Sequence, residues 1–163
     1  MMKKITSVGL GELKWGNHPS EVLATFGLGS CIALTAYDPA IRLGAMVHII
    51  LPDSSLARQP YSPAKFADTA VPLLLATVLR EGAMRTRLQV KMAGGARVLN
   101  IPRDAGILDI GTRNIEAVIK ALEKEGIHLA GRDVGGSHGR TVKLYLGTGR
   151  VTVAAIGQGE KEL

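Results

Sequence analysis

Short apolar runs separated by turn residues recur along this chain and predict a succession of strands. Residues 31–37 and 43–50 are apolar and partly β-branched, which is typical of buried strands, and Asp38-Pro39-Ala40 between them is typical of a turn. The first two runs are therefore predicted to form an antiparallel hairpin. Further runs of this kind lie at residues 88–93, 127–132, 141–146 and 151–156.

Two segments show helical periodicity instead. The first begins at Ser62 and Pro63, a capping residue followed by a proline suited to the first turn, and ends at Gly82. The second spans about residues 112–125, with apolar residues at helical spacing. No repeat, linker or low-complexity segment separates these elements. The sequence therefore predicts one α/β (α+β) domain over residues 1–163.

The composition fits a packed domain without a membrane segment. Of the 163 residues, 46% are hydrophobic, which is enough for one core, and only 4% are aromatic, so aliphatic side chains must fill that core. No apolar run approaches the ~18 residues of a membrane helix, and the lysines near the start are not followed by the apolar stretch of a secretion signal. The expected location is the cytoplasm, with no direct membrane insertion.

The net charge of +6 raises nucleic acid as a possible partner. The basic residues are, however, scattered among acidic ones, and no aromatic residues that could stack on bases alternate with them. Binding to nucleic acid is therefore not predicted. A basic face that attracts an acidic protein remains open beside the simpler interpretation of a solvated surface.

Cys31 is the only cysteine, so it cannot form an intrachain disulfide or a thiolate metal cluster, and chemistry at this position would be nucleophilic. Free cysteines are also common as inert core residues, and the residue alone leaves that alternative open. If the hairpin is centred between Pro39 and Ala40, His48 lies directly opposite Cys31, with Cβ atoms about 4.5–5.5 Å apart. A slip of one residue would separate them.

Thr25 precedes Cys31 by six residues, which along a straight strand is about 20 Å. It can join the same site only if the chain folds back, and Gly27 and Gly29 are the residues that permit such a bend. On geometry alone, Thr25 is expected to end a strand whose body is residues 21–24.

Other candidate sites are weak. His18, His128 and His138 are dispersed without the ligand spacing of a zinc site. The glycine-rich segments near Gly27 and Gly135 lack the spacing of nucleotide-binding loops, and tight turns explain them better. We expect neither a metal nor a cofactor.

Several motifs together carry a family resemblance, from about Leu10 to Gly149. The chain resembles the CheD family, the chemoreceptor glutamine deamidases of bacterial and archaeal chemotaxis. The first two motifs below are specific, and the glycine pairs are weak by themselves. The motifs are Thr25-Phe26-Gly27-Leu28-Gly29-Ser30-Cys31, His48-Ile49-Ile50-Leu51-Pro52, residues 64–74, Gly94-Gly95-Ala96, residues 110–114 and residues 135–140.

The resemblance implies a catalytic set: Cys31 as the nucleophile, His48 as the base and Thr25 as the residue that orients the histidine. It implies mixed β-sheet layers flanked by helices, similar to cysteine-dependent toxin deamidases. It also implies receptor cytoplasmic domains as protein substrates and a CheC-type phosphatase as a partner.

The residue types suit this chemistry. A side-chain amide is a poor electrophile, and a thiolate attacks it far better than water does. The developing oxyanion needs donors already in place, and the backbone N–H groups of Gly29, Ser30 and Cys31 are the candidates, with Gly27 helping to open the cleft. The alternative is an adaptor without catalytic activity that binds chemoreceptors or the CheC phosphatase and keeps the thiol as part of its core.

Overall fold

The computed structural model describes residues 3–97 and 109–163. Within these ranges the chain forms ten strands and two α-helices. In chain order they are Lys4–Ser7 (β1), Leu13–Gly16 (β2), Glu21–Leu28 (β3), Ile32–Asp38 (β4), Leu43–Ile49 (β5), Ala67–Arg80 (α1), Gln89–Gly94 (β6), Ile110–Lys124 (α2), Leu129–Val134 (β7), Arg140–Tyr145 (β8), Val151–Ala155 (β9) and Gly159–Glu162 (β10).

The strands form two mixed sheets. The first sheet has the order β1-β3-β8-β9-β10, and the second has the order β2-β5-β4-β6-β7. In each sheet one pair is parallel, β1 with β3 and β6 with β7, and the other pairs are antiparallel. The expected mixed-sheet α/β fold is confirmed.

The alternation of residues along β4 explains how the layers stack. Ile32 and Leu34 project to one side and pack in a core cluster with α1 and α2. Ala33 and Tyr37 project to the other side and pack in a second cluster with residues of the first sheet. The layers are therefore helices, second sheet and first sheet. Because both of its faces are covered, β4 is buried along its whole length.

The hairpin register differs from the prediction by two residues. Four residues, from Pro39 to Arg42, connect β4 and β5, with Arg42 in the left-handed region at φ 52°. Ala33, and not Cys31, therefore lies opposite His48. The expected direct pairing of Cys31 with His48 is wrong because the turn is longer than two residues. A shift of two still keeps both side chains on the same face of the sheet.

Helix α1 begins later than the sequence predicts. Residues Pro63–Lys65 form a short 3₁₀ turn, and Phe66 is extended before the helix starts. The reason is a parallel bridge between Leu51 and Phe66, in which the N–H groups of Leu51 and Ala67 donate to the carbonyls of Lys65 and Leu51. A long-range strand contact thus overrides a local helix start signal.

The crossing from β3 to β4 moves the chain from one sheet to the other. A bulge interrupts the pairing of β3 with β8 between Thr25 and Leu28, and Gly27 in it has φ 65°. The bulge exposes Phe26 and Gly27 and keeps Thr25 and Leu28 directed into the space between the sheets. Residues 29–31 then span the gap to the second sheet. We call these three residues the crossover.

At the far end of β4, Asp38 forms a buried ion pair. Its carboxylate is fully buried and accepts hydrogen bonds from the guanidinium of Arg87 at 2.7–3.0 Å. It also accepts from the backbone N–H groups of Ala40 and Met84. The hydrogen bond from Arg87 is the largest of the effects that hold the pKa of Asp38 below its ordinary value.

We expect Asp38→Asn to lower the free energy of unfolding at pH 7 by about 2 kcal/mol, because hydrogen bonds to a charged group contribute roughly 1.5–3 kcal/mol. An acid with a lowered folded pKa stabilises the fold above its unfolded pKa and loses that contribution as the pH falls through the folded pKa. Urea unfolding at a series of pH values should therefore show the two proteins converging only below about pH 3.9.

The exposed Glu160 on β10 offers a matched control. Glu160→Gln should change the free energy of unfolding by no more than about 0.5 kcal/mol. An Asp38→Asn protein as stable as the parent at pH 7 would contradict the assigned role of the ion pair.

Candidate active site

His48 lies on β5 with its ring directed into the space between the sheets, and it is only 5% exposed. Its Nδ1 lies 3.0 Å from Thr25 Oγ1 and 3.2 Å from the carbonyl oxygen of Val8. A carbonyl can only accept, so Nδ1 carries the proton and donates it. The neutral ring therefore keeps its lone pair on Nε2.

The other ring nitrogen is free. Nε2 is buried and has no hydrogen-bond partner among the described residues. Burial is the largest effect and lowers the pKa of His48, while the hydrogen bond to the carbonyl of Val8 and the charge of Glu12 act in the opposite direction. The lowered pKa favours the neutral form of the ring. An unpartnered buried nitrogen lone pair calls for an explanation, and a base waiting for a proton provides one.

Thr25 reaches this ring from the first sheet. It lies within β3, is 1% exposed and is followed in the strand by the bulge. The expectation from geometry alone, that Thr25 ends a strand and stays far from the site, is wrong because the two sheets pack face to face. Ala33, eight residues after Thr25, lies opposite His48, so the chain turns back between the two, through the bulge at Gly27 and the bends at residues 29–31.

Cys31 is the last residue of the crossover and is half-buried. It packs against the core cluster between the sheets, which is the side that His48 also faces. Ala33 pairs with His48, and Cys31 lies two residues before Ala33, so it is diagonal to the histidine in register but lies in the bend just outside β4. Burial raises the pKa of the Cys31 thiol above its ordinary value.

The three carbonyls of the crossover are all held. The N–H of Ala96 donates to the carbonyl of Gly29 at 2.9 Å, and the N–H of Gly95 donates to the carbonyl of Cys31 at 2.9 Å. The side-chain amide of Asn114 donates to the carbonyl of Ser30, also at 2.9 Å. The chain path beside the thiol is therefore fixed from the side of the second sheet.

Gly94 permits this close approach. It has φ 117°, and a Cβ there would collide with the carbonyl of Cys31 and with the side chain of Leu28. Any other residue would push the crossover away from β6. The glycine pair, weak as a sequence motif, thus has a steric role at the proposed nucleophile.

Not all of the residues named from the sequence come together. Gly29 and Ser30 lie in the crossover beside Cys31, whereas Gly27 lies in the exposed bulge with open space around its Cβ position. Sequence reasoning missed Val8, which contributes only a backbone carbonyl and carries no residue-type signal. It also missed Asn114, which lies inside a family motif but had no assigned role.

Local contacts explain two of the other sequence candidates. His18 interacts with Ser20 at the surface. Gly135 and Gly136 have positive φ in the turn between β7 and β8, as expected for a tight turn. Within residues 3–97 and 109–163 no three His, Cys, Asp or Glu side chains are grouped to bind a metal ion. No helix in these ranges is long and apolar enough to cross a membrane.

Two surface grooves lie near the helices. One of about 490 Å³ lies between α1 and α2 and includes Pro72 and Ala117. Another of about 700 Å³ is lined by Leu51, Tyr61 and Arg113, at the end of the sheet where β5 leaves it. Neither groove is lined by Cys31 or His48.

The fold and the site define a two-sheet α/β protein in which a threonine on one sheet holds a histidine on the other. Residues 50–155 match the family model described as CheD chemotactic sensory transduction. The chain is 49% identical over 162 residues to the probable chemoreceptor glutamine deamidase CheD of Symbiobacterium thermophilum, covering 99% of this chain and 98% of that protein.

Other relatives agree over the same length. Identity is 46% over 160 residues to the probable chemoreceptor glutamine deamidase CheD of Desulfitobacterium hafniense, covering 98% of this chain and 99% of that protein. It is 40% over 163 residues to the chemoreceptor glutamine deamidase CheD of Halalkalibacterium halodurans, covering 99% and 100%. The chain belongs to the CheD family, which confirms the resemblance drawn from its motifs.

Among solved structures, the crystal structure of Bacillus licheniformis hypothetical protein YfiH is a distant likeness. Its TM-score is 0.42 at 13% sequence identity, covering 83% of this chain and 60% of that chain.

The raised pKa of the thiol has a measurable consequence. We expect iodoacetamide to alkylate Cys31 with an apparent pKa above 9.0, the ordinary value, because burial disfavours the thiolate. The measurement is the rate of adduct formation by intact mass between pH 6 and 10. Rapid alkylation with an apparent pKa near 6 would instead show a preformed thiolate–imidazolium pair. The control is Cys31→Ala, which has no thiol to alkylate.

Proposed function

We propose that this protein hydrolyses specific glutamine side chains to glutamate on the cytoplasmic domains of methyl-accepting chemotaxis receptors, in chemotaxis adaptation. Cys31 is the nucleophile, His48 the general base and Thr25 the residue that orients the base. The observation that carries the proposal is the state of His48, whose Nδ1 is engaged as a donor while Nε2 is buried and has no hydrogen-bond partner in the described part of the chain. The names of the relatives as chemoreceptor glutamine deamidases support the substrate class.

The first step forms the bond between sulfur and carbon. His48 Nε2 takes the proton of the Cys31 thiol as the sulfur attacks the glutamine carbonyl carbon, and the carbonyl oxygen becomes an oxyanion. The resulting imidazolium returns that proton to the amide nitrogen, and the carbon–nitrogen bond breaks to release ammonia. A thioester between Cys31 and the former glutamine side chain remains.

Water completes the reaction. His48 Nε2 takes a proton from the attacking water as a carbon–oxygen bond forms. The carbon–sulfur bond then breaks, and the imidazolium returns that proton to the sulfur, which restores the thiol. The product is a glutamate side chain. Hydrolysis consumes one water for each ammonia released and needs no cofactor or metal.

The crossover offers donors for the oxyanion. In a trans peptide the N–H points opposite to the preceding carbonyl. The carbonyls of Gly29 and Ser30 are bonded to Ala96 and Asn114, so the N–H groups of Ser30 and Cys31 point away from those partners. We assign these two N–H groups, with that of Gly29, to the oxyanion cradle, and Gly27 to the flexible edge of the cleft.

Both reacting groups begin neutral. Burial raises the pKa of Cys31 and lowers the pKa of His48, so neither change favours an ion pair before substrate binds. Proton transfer is then coupled to attack on the amide. Contacts in such sites tighten when substrate binds, which suits a diagonal Cys31–His48 pair in the free protein.

The setting of this activity follows from the family. We propose that residues 1–163 act as one domain in the cytoplasm and that a CheC-type phosphatase is a partner. The net charge of +6 supports attraction to an acidic protein surface. Neither nucleic acid nor direct membrane insertion has a role in the proposal.

A non-catalytic adaptor is the second candidate. It would bind chemoreceptors or the CheC phosphatase and keep Cys31 as a core residue. The packing of the half-buried thiol against the inter-sheet cluster, together with its raised pKa, is the observation that favours this alternative. Activity measurements separate the two functions.

We expect the purified protein to convert glutamine to glutamate in chemoreceptor cytoplasmic fragments and to release one ammonia per conversion. Cys31→Ala should abolish both, because no other thiol is present, while Ser30→Ala should retain most of the activity. Peptide mass spectrometry measures the conversion, and an enzymatic assay measures ammonia. A wild-type protein that converts no glutamine across a range of pH would leave only the adaptor.

We also expect Thr25→Val to lower kcat about tenfold, since one buried hydrogen bond contributes roughly 0.5–1.5 kcal/mol. The effect is modest because the carbonyl of Val8 still accepts from Nδ1 and preserves the tautomer. KM should stay close to that of the parent. Phe26→Leu, an exposed change at the next position, is the control for local disturbance, and a kcat unchanged by Thr25→Val would remove Thr25 from the site.

A further inference from the structure

Asn114 connects the two chain segments that carry the proposed nucleophile and base. It lies in the first half of α2 and is fully buried. Its Nδ2 donates to the carbonyl of Ser30 at 2.9 Å and to the carbonyl of Ile50 at 2.9 Å. Ser30 directly precedes Cys31, and Ile50 lies two residues after His48.

The orientation of this amide is unambiguous. Both partners are carbonyls, which can only accept, so the nitrogen and not the oxygen must face them. The oxygen, Oδ1, is buried and accepts no hydrogen bond among the described residues. An unpartnered buried oxygen weakens the fold, and a leucine of similar shape would remove that defect. Unlike leucine, asparagine donates two hydrogen bonds, one to the carbonyl of Ser30 and one to the carbonyl of Ile50.

The helix that carries Asn114 is itself fixed against the crossover's other anchors. A Cβ at Gly111 would collide with the carbonyls of Gly95 and Ala96, so the first turn of α2 lies directly on this segment. The N–H groups of Gly95 and Ala96 hold the carbonyls of Cys31 and Gly29. The position of Asn114 relative to the crossover is therefore fixed by the packing of α2.

We propose that Asn114 is a positioning residue that sets the crossover at Cys31 relative to the end of β5 behind His48. The proposal rests on the function proposed above for Cys31 and His48. It deepens that function by assigning the precision of their placement to one side chain outside the catalytic set. Misplacing reacting groups by about 1 Å can reduce rates about a hundredfold, so two hydrogen bonds at this point are sufficient to matter.

The test replaces Asn114 by leucine, which keeps the volume and cannot donate. Tyr37→Phe is the matched control, because it also removes one buried side-chain donor to a backbone carbonyl, that of Leu146, at the opposite end of β4. If Asn114→Leu does not fold, Asn114→Asp takes its place, since a carboxyl in its neutral form can donate to only one of the two carbonyls. Urea unfolding measures the stability of every variant.

We expect kcat for deamidation to fall about ten- to a hundredfold in Asn114→Leu with KM changed less than about twofold. Iodoacetamide, in contrast, should alkylate Cys31 faster at pH 8, because a released crossover exposes the thiol and moves its apparent pKa down toward the ordinary value. A slower enzyme with a more reactive thiol is the signature of lost positioning. Tyr37→Phe should lower stability and change neither measurement.

Two outcomes overturn the proposal: an unchanged alkylation profile in Asn114→Leu, or a loss of kcat no larger than that in Tyr37→Phe. Failure of the proposed function is separate, because alkylation needs no substrate. If the wild-type protein does not deamidate but Asn114→Leu still shifts the alkylation profile, the deamidase assignment fails and Asn114 remains the residue that positions the thiol.

Discussion

The hydrogen bond between Thr25 and His48 spans the space between the two sheets, and the rest of the site depends on that space. Packed sheets lie about 10 Å apart, which lets one side chain from each sheet meet in the middle. The three-residue crossover must bridge the same gap, and three extended residues reach only about 10 Å. The chain bends at each of residues 29–31, so the segment that carries Cys31 is curved where it passes from one sheet to the other.

Burial in this space determines the electrostatics of the site. It raises the pKa of the Cys31 thiol and lowers the pKa of His48, so the two groups stay uncharged. Threonine suits such a pair because it accepts a hydrogen bond from the ring without adding a charge that would itself have to be desolvated. An aspartate there would stabilise the imidazolium and favour an ion pair. In the proposed mechanism a neutral pair of this kind transfers its proton only when an amide carbonyl is present.

Sequence patterns predicted β4 to β9 and α2 to within about two residues, because apolar periodicity is a local signal, whereas β1, β2 and β10 were not predicted. They predicted the wrong hairpin register because the length of the turn depends on Arg42. This residue adopts a left-handed conformation, which an arginine does not predict. The start of α1 was displaced by the pairing of Phe66 with Leu51. The spacing of residues in the sequence could not predict the contact of Thr25 with His48, because this contact joins two different sheets. Only the family resemblance indicated it.

Several of the short family motifs lie far apart in the chain, and their residues contact the crossover. Gly94 allows β6 to approach the carbonyl of Cys31, and the N–H of Gly95 donates a hydrogen bond to that carbonyl. Asn114 binds the next carbonyl back, that of Ser30. These anchors come from two elements, the chain that follows β6 and helix α2, so partners outside the crossover fix its peptide planes. Fixed peptide planes are what the proposed oxyanion cradle requires, because its N–H donors must keep one orientation as charge develops on the substrate oxygen.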